Sequence, residues 1–211
     1  MNKILTIALL IAFAATTAPA APEPAVIQPP GLWTLDTEFK HLQPFKMQTE
    51  QGKPPARFWY MIMTLTNKTG HEVSFFPGCE LMTDTYQIIP AGKNVPEAVY
   101  NRLIKRYRRS YPFLRTLPEA GTKILQGENN AMDLLIVWPD FDPEANRLKA
   151  FISGLSNETA VVEHPTAENE NGEPLKIYLR KTLELNYDIG GDPATSPRLR
   201  ISYQGKDWVM R

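Results

Sequence analysis

One cysteine, three histidines and a cluster of arginines are the residues of this 211-residue chain most able to do chemistry. Cys79 could serve as a thiol nucleophile, but that needs a base within hydrogen-bond reach and a third group to orient it. His71 is the nearest histidine, and no local motif ties the two together. Cys79 is therefore expected as a core or half-buried thiol, cysteine being among the most buried residue types. His41, His71 and His164 are dispersed, with no H-x-x-x-H pair and no second cysteine, so no metal centre is expected.

Two acidic or nucleophilic motifs are near-misses. Asp140, Asp142, Glu144 and Asn146 alternate like the ligands of a calcium loop, yet Ala145 and Phe151 stand where that loop needs glycine and glutamate. Pro143 interrupts it as well, and a proline-marked turn is the better reading. Gly154-Leu155-Ser156-Asn157 opens like a nucleophile elbow, but Glu158 replaces the second glycine. No catalytic or cofactor-binding residue is assigned and no cofactor is expected. A pair of glycosidase carboxylates distant in sequence stays open as an alternative.

The densest charge feature is Arg102, Lys105, Arg106, Arg108 and Arg109, with Arg115 just beyond. Such a run is either a solvated helix face or a contact surface for an anionic polymer or an acidic envelope protein. If there is a contact surface, Arg102, Arg106 and Arg109 are its expected residues. Nucleic acid is not an expected partner: 23 basic residues balance 23 acidic ones over the chain.

These residues need a scaffold. The N-terminus has Lys3, an apolar run over 4–15 and Ala18-Pro19-Ala20, the order of a secretory signal peptide over 1–20. The run is too short for a membrane span, so cleavage is expected to leave no transmembrane anchor and an extracytoplasmic chain, periplasmic or at the cell surface. Residues 21–32, rich in proline and alanine, read as a disordered leader, and 33–211 as one domain. A single cysteine allows no internal disulfide, so the core must hold without one.

In RFWYMIMTLTNKTGHEVSFF, residues 57–76, Trp59, Met61, Met63 and Leu65 alternate with Phe58, Tyr60, Ile62 and Thr64, which predicts a strand. The turn signal Asn67-Lys68-Thr69-Gly70 and the β-like run 71–76 make this a predicted hairpin. A second hairpin is predicted from 80–83 and 86–89. Short strands are expected over 134–138 and 148–152. A longer alternation starts at Leu175, and Lys181 breaks its apolar face once, suggesting a bulge or an uncovered end. Strands over 199–203 and 208–211 are expected to flank a turn at Gln204-Gly205-Lys206-Asp207.

Between the strands, Val99, Leu103, Ile104 and Tyr107 recur at helical spacing. Pro96 suits the first helical position, and the arginines suit the C-terminal dipole end. One helix is expected over about 96–109, its apolar stripe lying on a sheet or capping its end. Residues 114–122 and 156–174 are expected as loops, the latter polar. Two sequons, at Asn67 and Asn157, fall in predicted turns, and glycosylation is not expected. About nine short strands with one inserted helix predict a mainly β, antiparallel sandwich.

FWYMIMTLTNKTG resembles the early strand of small exported bacterial immunoglobulin-like domains. ILQGENNAMDLLIVWP is similar to their later segment, through Ile124, Gly127, Glu128, Leu134, Ile136, Val137 and Pro139. The ending, YDIGGD then KDWVMR, resembles exported proteins of unknown function. The resemblance implies an immunoglobulin-like sandwich outside the cytoplasm, used for adhesion, assembly or ligand binding, and it brings no catalytic residues. The expected function is a non-enzymatic binding domain of the cell envelope. The alternatives are a carbohydrate-active or other hydrolase with dispersed acids, and a structural envelope component.

Overall fold

The computed structural model describes residues 21–25, 30–190 and 200–211. The expected signal peptide, residues 26–29 of the expected leader, and the stretch 191–199 lie outside the described residues. The chain is mainly β and none of its sheets is closed. Its strands are β1 (Asp36–Met47), β2 (Ala56–Thr66), β3 (Val73–Ser74), β4 (Gly78–Thr83) and β5 (Ile88–Pro90). The helix α1 (Glu97–Tyr107) follows, then β6 (Arg115–Thr116), β7 (Lys123–Ile124), β8 (Met132–Pro139), β9 (Arg147–Ser153), β10 (Thr159–Glu168), β11 (Pro174–Gly190) and β12 (Arg200–Met210).

One sheet has the order β1-β2-β8-β6, antiparallel except for the β6–β8 pair. A second runs β10-β11-β9-β4-β5, with β12 also on β11. β3 and β7 make a two-stranded ladder of their own. The alternation read in the sequence decides what each face buries. Trp59, Met61, Met63 and Leu65 of β2 join Leu81 of β4, Leu148, Ala150 and Ile152 of β9, and Leu183, Leu185 and Tyr187 of β11 in one buried cluster fed by both large sheets. At roughly 1.5–3 kcal/mol for each fully buried large side chain, this cluster is the main source of stability.

The other face of β2 and β8 is apolar too, because α1 covers it. Phe58, Tyr60, Ile62, Leu135 and Val137 pack with Val99 and Leu103, which are fully buried. The helical stripe thus lies on a sheet, one of the two placements expected for it. The helix itself is shorter than predicted. Pro96 is its N-cap, with extended backbone, instead of its first helical residue, and Arg108 and Arg109 fall in the turn beyond Tyr107.

Several expectations are corrected. Residues 57–76 are not a hairpin: β2 pairs β1 and β8, while β3 pairs β7. The turn at 67–70 instead carries the chain away from β2, held by Asn67. Its buried amide donates to the carbonyls of His71 (2.8 Å) and Ile124 (3.0 Å), and its oxygen accepts the Thr69 N–H. This sequon asparagine is fully buried.

The polar stretch 156–174 holds β10 rather than a loop. Its charges fall opposite one another, as with Glu163 and Lys176, so polarity does not prevent pairing. The turn expected at 204–207 is absent. β12 runs through it, and Gly205, at φ 150°, takes up the register shift against Asn186 and Tyr187. Lys181 marks no bulge; it is buried in an ion pair with Glu158. The hairpin predicted over 80–89 is present as β4 and β5.

Candidate functional site

The cationic segment and β1 build one surface. β1 carries a register shift between Lys40 and Gln43. Lys40 lies opposite Ile62 and Gln43 opposite Tyr60, both on the face covered by α1, although they are three residues apart. Uninterrupted alternation would send Gln43 to the other side. The extra residue lets Leu42 turn into the core while Lys40, Gln43 and Phe45 share the helix face.

Three tyrosines tie strand to helix. Tyr60 donates its hydroxyl proton to Gln43 Oε1 at 2.9 Å and lies 2.8 Å from the Tyr107 hydroxyl. A phenol has one proton to give, so Tyr107 is the donor to Tyr60. Burial first, then the Tyr107 hydrogen bond, pushes the Tyr60 phenol far above its usual range. Lys40 Nζ stands 5.3 Å from the Tyr107 ring centre and 5.1 Å from that of Tyr111. The Arg106 guanidinium lies 5.7 Å from the Tyr107 ring. These are cation–π distances.

Beside this cluster, Arg102, Lys105, Arg106 and Phe45 line an open groove of about 460 Å³. Helical spacing puts Arg102 and Arg106 four residues apart on one side of α1. Arg109, expected with them, sits in the turn past the helix end and does not line the groove. The cations of the ion pairs among the described residues are Lys53, Arg57, Lys68, Lys123, Arg147, Lys149, Lys181 and Arg211. Lys40, Arg102, Lys105 and Arg106 are in none of these pairs. Three positive groups thus line one hollow, with Lys40 beside it on the Tyr107 and Tyr111 rings, and none of the four has an acidic partner among the described residues.

The remaining candidates are placed as follows. Cys79 is buried, and desolvation, with the charge of Glu80, pushes its thiol up to about 12. His71 lies at a turn, where its carbonyl accepts from Asn67 and Thr69. His164 Nδ1 accepts the Thr166 and Ala167 N–H groups, a local bend. Asp142 caps a turn by accepting the Glu144 N–H, as the proline-marked reading expected. Asn157 anchors the N-terminal segment, its oxygen accepting the Trp33 N–H and its amide donating to the Gly31 carbonyl. Among the described residues no group of three or more His, Cys, Asp or Glu side chains is placed to hold a metal.

Sequence places Tyr60 on a predicted strand but gives Lys40, Phe45 and Tyr111 no role. The signal was there in part, since Glu38, Lys40 and the aromatic flanks of 36–47 alternate, but Pro44 and the shift at 41–42 obscure it. The chain matches no protein-family model, no curated protein and no solved structure.

Proposed function

We propose that this chain is an exported, non-enzymatic binding domain of the cell envelope, folded as an immunoglobulin-like β-sandwich, that holds an anionic partner against α1. The single observation behind this is the groove lined by Arg102, Lys105 and Arg106, with Lys40 stacked on Tyr107 beside it and no acid paired to any of the four among the described residues. Guanidinium groups match carboxylate, sulfate or phosphate oxygens in forked geometry. Phe45, in the groove, gives such a partner apolar contact as well. The buried cluster fed by both large sheets supports the sandwich reading, and the signal-like N-terminus supports export.

The test is retention on an immobilised dextran sulfate column, with capture from envelope extracts run in parallel. The triple variant Lys40→Ala, Arg102→Ala, Arg106→Ala is expected to elute at markedly lower salt than the parent. Arg109→Ala is expected to elute close to it. Identical elution of the triple variant and the parent would remove the reading.

The hydrolytic alternative needs two acids on one hollow, and one such pair lies on the second sheet. Asp84 and Asp188 line a common hollow of about 360 Å³ on the second sheet. Asp84 is already engaged, accepting the Asn146 N–H with Arg147 3.7 Å away. A glycosidase at this place would lose its turnover in Asp188→Asn.

A further inference from the structure

We propose that the chain pairs with a second copy of itself, edge to edge through β10, across a two-fold axis at Val161. β10 is the outermost strand of its sheet. Its register with β11 sets Thr159 opposite Arg180, Val161 opposite Tyr178 and Glu163 opposite Lys176. The Lys181 N–H bonds to the Glu158 carbonyl, while Arg180 exchanges both its backbone bonds with Arg211. Backbone groups alternate along a ladder. Ala160 and Val162 therefore face β11, and the N–H and C=O groups of Thr159, Val161 and Glu163 point outward from the sheet.

Over 159–162 this edge carries no charge, and the features that blunt an edge, Glu163, the bend at His164 and Pro165, come only at its end. Val161 is 51% exposed and Tyr178 70% exposed on one face of the β10–β11 arm; Leu175 is 43% and Ile177 36% exposed on the other. β9 and β12 pair with β11 only from Lys181 onward, and beyond the exchange between Arg180 and Arg211 no strand among the described residues flanks the arm. The exposed edge ends at Glu163, because the His164 bend and Pro165 follow it.

A second copy fits this edge in one register better than in others. With antiparallel pairing centred on Val161, each outward-facing residue meets another: Val161 meets its own copy, and Thr159 meets Glu163 in both directions. Six backbone hydrogen bonds close. Glu163 then stands between Lys176 of its own arm and Thr159 of the second copy, with that copy's Arg180 one strand further. Charges alternate across the joined sheet, as cross-strand pairing favours. Centring on Glu163 would oppose like charges and bring Pro165, which has no N–H, opposite Val161. On the far face, Ala160 and Val162 of each copy meet Val162 and Ala160 of the other, extending the apolar strip of Leu175, Ile177 and Leu179. The interface is narrow, so association is expected to be weak and concentration-dependent.

Sedimentation equilibrium of the purified full chain tests this. The mass is expected to rise from one chain towards two as concentration increases. Val161→Lys, which opposes two lysines on the axis, is expected to weaken association by about tenfold or more with an unchanged melting midpoint. Independently, Val161→Cys is expected to form a covalent dimer on mild oxidation, since directly opposed residues lie within disulfide reach. Tyr178→Cys, whose copies would be roughly 14 Å apart at three strand spacings, is not. The native Cys79 is buried and does not compete. A single-chain mass at every concentration overturns the proposal. So does association of Val161→Lys as strong as the parent's, or cross-linking through Tyr178→Cys instead of Val161→Cys, which would indicate stacking of arm faces.

Discussion

Lys181 Nζ lies 2.8 Å from Glu158 Oε2, with both side chains more than nine-tenths buried. The other carboxylate oxygen, Oε1, accepts the backbone N–H of Ala25 at 2.7 Å. Lys181 also stands 5.4 Å from the Trp208 ring. The pair closes the core where the β10–β11 arm leaves the body and fastens the N-terminal stretch to the same spot.

Removing one member of a buried pair strands the other. Lys181→Met is expected to lower unfolding stability by about 3–5 kcal/mol, and Lys181→Met with Glu158→Leu to recover most of that loss. Urea denaturation of both variants checks it. A loss in the single variant no larger than that of an exposed ion pair would show the site to be solvated.

The same carboxylate makes stability pH-dependent. Burial pushes Glu158 up, but the Lys181 hydrogen bond, the Ala25 N–H and the Lys181 charge outweigh it, and its folded value is lowered. A lowered folded value gives stability that is present above the unfolded value of about 4.3 and is lost as pH falls through the folded one. In Glu158→Gln the acid-side fall in denaturation midpoint is expected to be shallower than in the parent. Superimposable pH profiles would contradict this.

Cys79 is expected to resist thiol reagents. With its thiol pushed up to about 12 and its side chain buried, almost no accessible thiolate exists at neutral pH. Ellman's reagent should label it fully in denaturant and, in native buffer, only at the rate of opening. Fast native labelling would mean that Cys79 is more open than its burial indicates.

Gly154 is expected to tolerate no side chain. It has φ +83°, and a Cβ there would come within 2.5 Å of the Phe76 carbonyl oxygen. At Gly127, φ +99°, a Cβ would meet nothing within 4 Å. Gly127→Ala should cost only the conformational penalty of about 1–2 kcal/mol, and Gly154→Ala clearly more. Equal midpoints for the two would refute the close approach.

Tyr60→Phe removes the hydroxyl linking Gln43 to Tyr107. The expected loss is about 0.5–1.5 kcal/mol, and the salt dependence of dextran sulfate elution is expected to change little. The hydroxyl joins strand to helix, whereas the cations carry the charge. A collapse of retention in this variant would assign the phenol a direct contact.

Periodicity revealed the strands whose faces are uniform. β2 and the C-terminal half of β11 follow from alternation and β8 from its unbroken apolar run, and these strands, like β9, overlap segments expected from sequence. It failed where pairing partners are distant. The run 71–76 looks like the return arm of a hairpin, yet Val73 pairs with Ile124, and nothing local encodes that choice. β1 was missed because its register shift breaks the two-residue period in the residues that carry Lys40 and Gln43 to the helix face. The groove was half legible for the same reason. Arg102 and Arg106 follow from helical spacing, whereas Phe45, and Lys40 beside the groove, need the sheet.

Strand β4 acquires its inner neighbour, β9, only some seventy residues later, and Trp33 donates its N–H to Asn157, 124 residues away. A chain emerging from its N-terminus could complete the β1-β2-β8-β6 sheet by Pro139 but not the second large sheet until its last third had followed. Loop closures over such separations are slow compared with helix or hairpin formation. The edge of β4 that β9 covers thus stays open until β9 has followed it, the stretch in which an escort would have something to shield.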